Sequence, residues 1–319
     1  MSVEAEIRRR IQAGGPITFA QFMDLALYWP SGGYYAGAAP DAAVPWGPSG
    51  DYYTSPMTHP AFGALLALQL YQFWQLLGRP DPFYVVEPGA GNGLLCRDIL
   101  TSAAALPAGF APSLRYLCLD PRPVGVALER GVPGAQRLAA RGMPLRGLRG
   151  CVLSNELLDA FPVHQVRQEG GQLREVYVAL DEAAGPAGWV TITGEPSTPA
   201  LAARLRERGI TLAEGQTAEI NLGLDSWAAA VAEALAAGFV LTIDYGREAG
   251  ELYDPDLRPR GTLTTYYRHV QTDAPLRRVG RQDITAQVDF TSVVNAGWRA
   301  GLLSPVSYTH LTLPTKRIV

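Results

Sequence analysis

The sequence predicts an α/β fold, an open and mainly parallel sheet with an N-terminal helical cap and a β-hairpin insertion. Three observations carry that prediction. Phe83 to Val86 is an apolar run without alternation, as expected of a central parallel strand with helices on both faces. It runs into Glu87 and a turn with glycine at every second position, Gly89, Gly91 and Gly93, before a helical pattern opens at Leu94. Further apolar runs end in polar residues too: Leu114–Leu119 at Asp120, Cys151–Ser154 at Asn155 and Gly238–Ile243 at Asp244.

The elements follow in order. Residues 3–13 read as a helix with Val3, Ile7 and Ile11 on one face, stopped by Gly14 and Gly15. Thr18 and Gln21 form a capping-box pattern opening a second helix, whose apolar side is Phe19, Phe22, Met23 and Ala26. Pro30 to Gly33 breaks it, and residues 36–50 read as a mobile Pro/Gly/Ala loop. Asp51, Tyr53 and Ser55 then lie on a loop ahead of a long apolar helix from about Thr58 to Leu77. This N-terminal block reads equally as a lid over a ligand or as an inert cap. Val163–Arg167 and Gln172–Val178 flank a Gly-Gly turn and read as a β-hairpin, with Trp189–Thr193 beside it. Helices are expected at Ala200–Arg208 and Leu222–Ala237, and strands or ordered loops at Gly261–Val270 and Asp283–Phe290. The domain boundaries drawn from this are a cap or lid over 1–80, a sheet domain over 81–304 with its insertion at about 163–215, and a tail over 305–319. From about Pro305 the tail shows no capped element and no clear pairing; it resembles a translated sequencing adapter, so a natural chain cut short is expected.

The glycine spacing narrows the ligand. A dinucleotide fingerprint G-x-G-x-x-G would need its third glycine at position 94, which is Leu94. A carboxylate at the strand tip would also repel a pyrophosphate, which makes a nicotinamide-dependent oxidoreductase the weakest reading. Glu87 suits a cofactor carrying positive charge, such as a sulfonium with an α-amino group. Asp120, at the tip of the second run, can accept from both ribose hydroxyls or cap the Asp-Pro turn. At the third tip, Asn155 offers donor and acceptor, and Glu156 and Asp159 lie three apart at the start of an expected helical turn, facing the same way or acting only as caps. Candidate cofactor contacts are therefore Glu87, Gly89, Gly91, Asn92, Gly93, Asp120, Asn155 and Ser55, and candidate catalytic residues Glu156, Asp159 and Asn155.

Composition excludes several classes. The 319 residues are 47% hydrophobic and 18% charged, enough for a substantial core. A formal charge of −3 leaves no basic surplus for nucleic acid or anionic lipid. The N-terminus lacks the apolar stretch of a signal peptide, and the longest uncharged apolar run, Pro60–Leu77, is about 18 residues with three glutamines. Cys96, Cys118 and Cys151 form no C-x-x-C pair, and the four histidines are scattered, so no metal site is expected. A protein without a membrane span is expected, cytoplasmic if bacterial or in the mitochondrial matrix if eukaryotic, although no transit peptide is read; the oligomeric state is not readable.

Several motifs in one order resemble a known family. They are Ile17-Thr-Phe with Met23, Gly33-Tyr-Tyr35, Gly50-Asp-Tyr-Tyr-Thr-Ser-Pro56, Glu87-x-Gly-x-Gly-x-Gly93, Asn155-Glu-Leu-Leu-Asp-Ala-Phe-Pro162, Ile243-Asp-Tyr-Gly246, Gly261-Thr-Leu with Tyr267-Arg-His269, and Asp283-Ile-Thr-Ala-Gln-Val-Asp-Phe290. Together they resemble the mitochondrial complex I assembly methyltransferases, the MidA-type family, from about residue 5 to 303. The resemblance implies a Rossmann-like class I methyltransferase sheet and S-adenosylmethionine as cofactor. It also implies, as in mitochondrial members, methylation of an arginine on a protein partner, an iron–sulfur subunit of complex I. Glu87, Gly89, Gly91 and Gly93 match its cofactor loop, and Asn155, Glu156 and Asp159 its motif after the fourth strand. The chain departs from the family at Met57, where an acid is usual, at Asp120, where glutamate is usual, and after Leu302. A cofactor-binding assembly chaperone without catalysis and a small-molecule methyltransferase are the alternative functions.

Overall fold

The computed structural model describes residues 1–36, 45–47, 50–121, 133–181, 183, 188–304 and 317–318. Most of the loop expected at 36–50 and most of the tail after 305 lie outside these. The chain divides into two compact units.

The first is a sheet unit, formed by Tyr53–Leu157, Asp225–Asp244 and Asn295–Val319. Its strands run in the order Ala135–Ala139, Leu114–Asp120, Phe83–Pro88, Leu148–Asn155 and Leu235–Asp244, all parallel. A two-residue strand, Arg317–Ile318, pairs antiparallel with Leu235–Asp244, although the sequence of the tail shows no clear pairing. The absence of alternation in the apolar runs has a direct cause. Phe83 and Val85 pack on one face with Tyr116, Cys118, Cys151 and Leu153, whereas Val86 packs on the other with Leu117, Leu119, Val152 and Val231. Side chains alternate with period two, so a strand buried on both sides must be apolar throughout. The helices Ala61–Leu76 and Leu94–Ala103 cover the first face, with Leu66, Leu70, Trp74, Cys96 and Ile99.

The long apolar helix expected from Thr58 is divided. Ser55–Thr58 forms a short helix and Ala61–Leu76 the main one, with Pro60 at its N-cap, where its lack of an N–H costs nothing. The helix expected over Leu222–Ala237 ends sooner: it spans Gly223–Ala234, and Leu235 already belongs to the strand. Among the described residues no helix is long and apolar enough to cross a membrane.

The second unit comprises Met1–Tyr52, Leu158–Leu224 and Tyr245–Val294. The helices Val3–Gly14 and Phe19–Tyr28 are both capped as the sequence requires. Ser2 accepts from Ala5 N, and Thr18 and Gln21 complete a reciprocal capping box. The hairpin is His164–Glu169 paired with Gln172–Leu180, turned at Gly170 and Gly171, both at positive φ as a two-residue hairpin turn demands. Gln172–Leu180 also pairs with Ile17–Thr18 and Trp189–Gly194, and His164–Glu169 with Thr217–Ile220. One core joins Ile7, Phe19, Phe22 and Met23 to Val163, Val178, Trp189 and Ile284, so three separated segments fold as one body.

Candidate active site

The sheet unit brings its polar tips to one edge, because parallel strands all end on the same side. The Phe83–Pro88 strand turns at Gly89, whose φ is +69° and whose N–H donates to Leu119 O at 2.8 Å. A Cβ at Gly89 would stand 2.8 Å from Leu157 Cδ1, so the turn tolerates no side chain without a shift. Gly91 and Gly93 are also left-handed, at +55° and +77°. Gly91 N donates to Asp120 Oδ2 at 3.0 Å, and Arg137 Nη2 donates to Gly91 O at 2.5 Å. The turn is thus clamped from both peptide ends. Asn92 Oδ1 accepts from Leu94 N at 3.0 Å, which spends that oxygen on opening the Leu94–Ala103 helix.

Glu87 is only 5% exposed and Asp120 7%. Tyr116 donates its hydroxyl to Glu87 Oε2 at 2.8 Å, while Glu87 Oε1 has no hydrogen-bond partner among the described residues. Burial, with Asp120 adding to it, holds the Glu87 carboxyl up at about 8 against the opposing pull of the Tyr116 hydroxyl and Arg137.

At the neighbouring tip, Leu148–Asn155 leads into Glu156 at φ +50°, a conformation that is costly outside glycine. Glu156 N donates to Ile243 O at 2.8 Å and Leu157 N to Asp244 Oδ2 at 3.0 Å, which fixes the bend. Glu156 Oε1 accepts from Ser55 N at 3.3 Å and from Asn155 Nδ2 at 3.4 Å. Ser55, Asn155 and Glu156 are therefore one cluster, with Ser55 contributing its backbone N–H rather than its hydroxyl. Asn155 Oδ1 is buried without a hydrogen-bond partner, an acceptor left over on the same cluster. The helical turn expected to align Glu156 with Asp159 is not formed. The positive φ at Glu156 breaks it, and the 3-10 turn spans only Leu158–Ala160. Asp159 belongs to the second unit, where its carbonyl accepts from Ala286 N at 3.0 Å.

Sequence reasoning missed three supporting residues. Arg137 lies on the Ala135–Ala139 strand, whose mixed burial gives no apolar signature. Tyr116 read only as core, and Asp244 as a strand-tip acid without a partner.

Three left-handed glycines between a buried carboxyl and a second acid, at the mouth of a parallel sheet, define a nucleoside- and cation-binding transferase site of the methyltransferase class. The chain belongs to the family of S-adenosyl-L-methionine-dependent methyltransferases whose profile matches residues 65–308. It is similar to the mitochondrial protein arginine methyltransferase NDUFAF7 homologue of Drosophila melanogaster, 28% identical over 92% of this chain and 69% of that one. The NDUFAF7 protein arginine methyltransferase of Rattus norvegicus is 26% identical over 93% of this chain and 70% of that one. A crystal structure of a superfamily member from Burkholderia thailandensis, bound to S-adenosyl-homocysteine, superposes with a TM-score of 0.81 at 32% identity, covering 94% of this chain and 76% of that one.

S-adenosylmethionine is the cofactor, and the residues present fit it. The Cβ-free turn admits a ligand close to the backbone, Glu87 Oε1 is open to an ammonium or sulfonium charge, and Asn155 Oδ1 is an unused acceptor.

Proposed function

We propose that this methyltransferase modifies an arginine side chain of a protein partner, with Glu156 orienting the acceptor and the cofactor lying across Gly89–Gly93. The observation that carries the proposal is the placement of the Glu156 carboxylate. It stands at a strand tip adjacent to the glycine turn, on a strained backbone, steadied by Ser55 N and Asn155 Nδ2. The relatives named as protein arginine methyltransferases support the same acceptor.

When bound, the cofactor supplies a methyl group already activated on a sulfonium. The chain must then hold charge and align the nucleophile. Glu87 would meet the cationic amino-acid end of the cofactor as a carboxylate. Asp120, at the second tip, would accept from the ribose hydroxyls, and the glycines would let the cofactor approach the backbone without meeting a Cβ. An arginine guanidinium stays cationic, with a pKa above about 12, and needs a carboxylate to fix its plane. Glu156 fills that role, and Asn155 steadies Glu156.

Tritiated methyl transfer into candidate protein acceptors, followed by acid hydrolysis, tests the proposal. Label in methylarginine is expected, with transfer lowered about a hundredfold or more by Glu156→Gln while S-adenosyl-homocysteine affinity holds. Label in another amino acid, or full activity in Glu156→Gln, would contradict it.

A further inference from the structure

The second unit carries a basic turn whose backbone is held in a costly conformation. Tyr267 pairs with Val270, so Arg268 and His269 form a two-residue hairpin turn with φ of +49° and +62°. Such turns favour Asn-Gly, and a bulky residue in that region costs on the order of 1 kcal/mol. Arg278, nearby, has φ +49°, so three of the five described non-glycine residues at positive φ belong to this neighbourhood. The turn is not a loose tip. Asp51 Oδ1 accepts from Arg268 N at 2.6 Å, Asp51 O accepts from His269 N at 3.0 Å, and Tyr34 donates to Asp51 Oδ2 at 2.8 Å.

The Asp51 carboxylate holds the backbone of the turn, and the side chains of the turn carry positive charge. The Arg268 and Arg278 guanidiniums lie 5.3 Å and 4.4 Å from the centroid of one ring, Tyr267. Arg268, Arg277 and Arg278 are exposed, and none of them pairs with a carboxylate among the described residues. Asp273 is the one acid between positions 264 and 281, against four arginines, in a chain whose formal charge is −3. Arg281 is already engaged with Glu4 at 3.7 Å. Two guanidiniums held against one ring repel each other unless an anion joins them, and each presents the planar fork that suits a carboxylate. Strain that persists because the surroundings enforce it marks a working surface.

We propose that the Tyr267–Val270 turn, with Arg268 and Arg278, docks an acidic segment of the protein acceptor. The island is too small, on an acidic chain, to hold a nucleic acid backbone. The proposal rests on the protein-acceptor reading above and adds the chemistry of the partner's contact.

The test uses the full chain and a fluorescein-labelled hexaglutamate peptide, with hexaglutamine as control. Wild type is expected to bind hexaglutamate and not hexaglutamine, with affinity falling as salt rises. The double variant Arg268→Gln, Arg278→Gln is expected to weaken binding about tenfold or more. Its S-adenosyl-homocysteine affinity and unfolding midpoint should match wild type, which shows the variant folded. Unchanged binding in the double variant would overturn the proposal, as would no binding by wild type. Tighter binding of single-stranded DNA or phosphatidylserine vesicles than of hexaglutamate would also overturn it. Peptide binding without methylarginine product would leave the docking surface standing while the arginine reading fell; the reverse result would separate them the other way.

Discussion

Glu87 answers to two opposed influences. Burial favours its protonated form, while the cofactor's positive charge favours the carboxylate. Its folded value of about 8 lies above the ordinary 4.5, so the folded protein without cofactor keeps a proton that the unfolded chain releases. Its contribution to stability is therefore complete below about pH 4.5 and is lost as pH rises through 8. Cofactor binding must draw that proton off. We expect affinity for S-adenosyl-homocysteine to rise between pH 6 and 8, approaching about tenfold per pH unit, with proton release seen by calorimetry in buffers of different ionisation enthalpy. In Glu87→Gln the pH dependence of both affinity and stability should flatten. An unchanged slope would detach Glu87 from the cofactor. Glu156 shows a different kind of tension, since its backbone rather than its charge is held in a costly state. Its acidity as a candidate was readable from the motif, but its left-handed bend was not, because no local pattern demands φ +50° of a glutamate.

The helices Ala61–Leu76 and Leu94–Ala103 meet at Gly63, where a Cβ would lie 2.5 Å from Asp98 Cβ and 3.1 Å from Asp98 C. Gly63→Ala should push these helices apart, lowering stability by about 1–3 kcal/mol and loosening the helix that leaves the glycine turn. Chemical denaturation measures the first effect and S-adenosyl-homocysteine titration the second; a neutral substitution would show the contact to be slack. Elements with strong local codes were legible in the sequence. The Thr18–Gln21 capping box, the Gly170–Gly171 hairpin and the doubly buried strands each follow from neighbours in the chain. Elements without such a code were not. Ala135–Ala139 mixes half-buried and exposed residues with none fully buried, and offers no apolar run to read. The boundary between Ala234 and Leu235 falls inside a uniform alanine-rich stretch, where helix and strand share the same composition and the sheet decides.

For the whole molecule, the parallel sheet explains why the candidate site is legible in the sequence. Its polar residues sit directly after apolar strands, and topology then collects Glu87, Asp120, Asn155 and Glu156 at one edge. The groups that steady them lie far away in sequence: Arg137 on Gly91, Tyr116 on Glu87, Asp244 on Leu157. Such pairings arise only from folding and leave no mark in spacing. The core shared by the N-terminal helices, the hairpin and Ile284 is of the same kind. The most direct test of the central claim is a crystal structure of this protein grown with S-adenosyl-homocysteine. We expect the ligand across Gly89–Gly93, its amino group within hydrogen-bond reach of Glu87 and its ribose hydroxyls on Asp120. A ligand bound elsewhere, or a glycine turn left bare with Glu87 still joined only to Tyr116, would contradict the assignment.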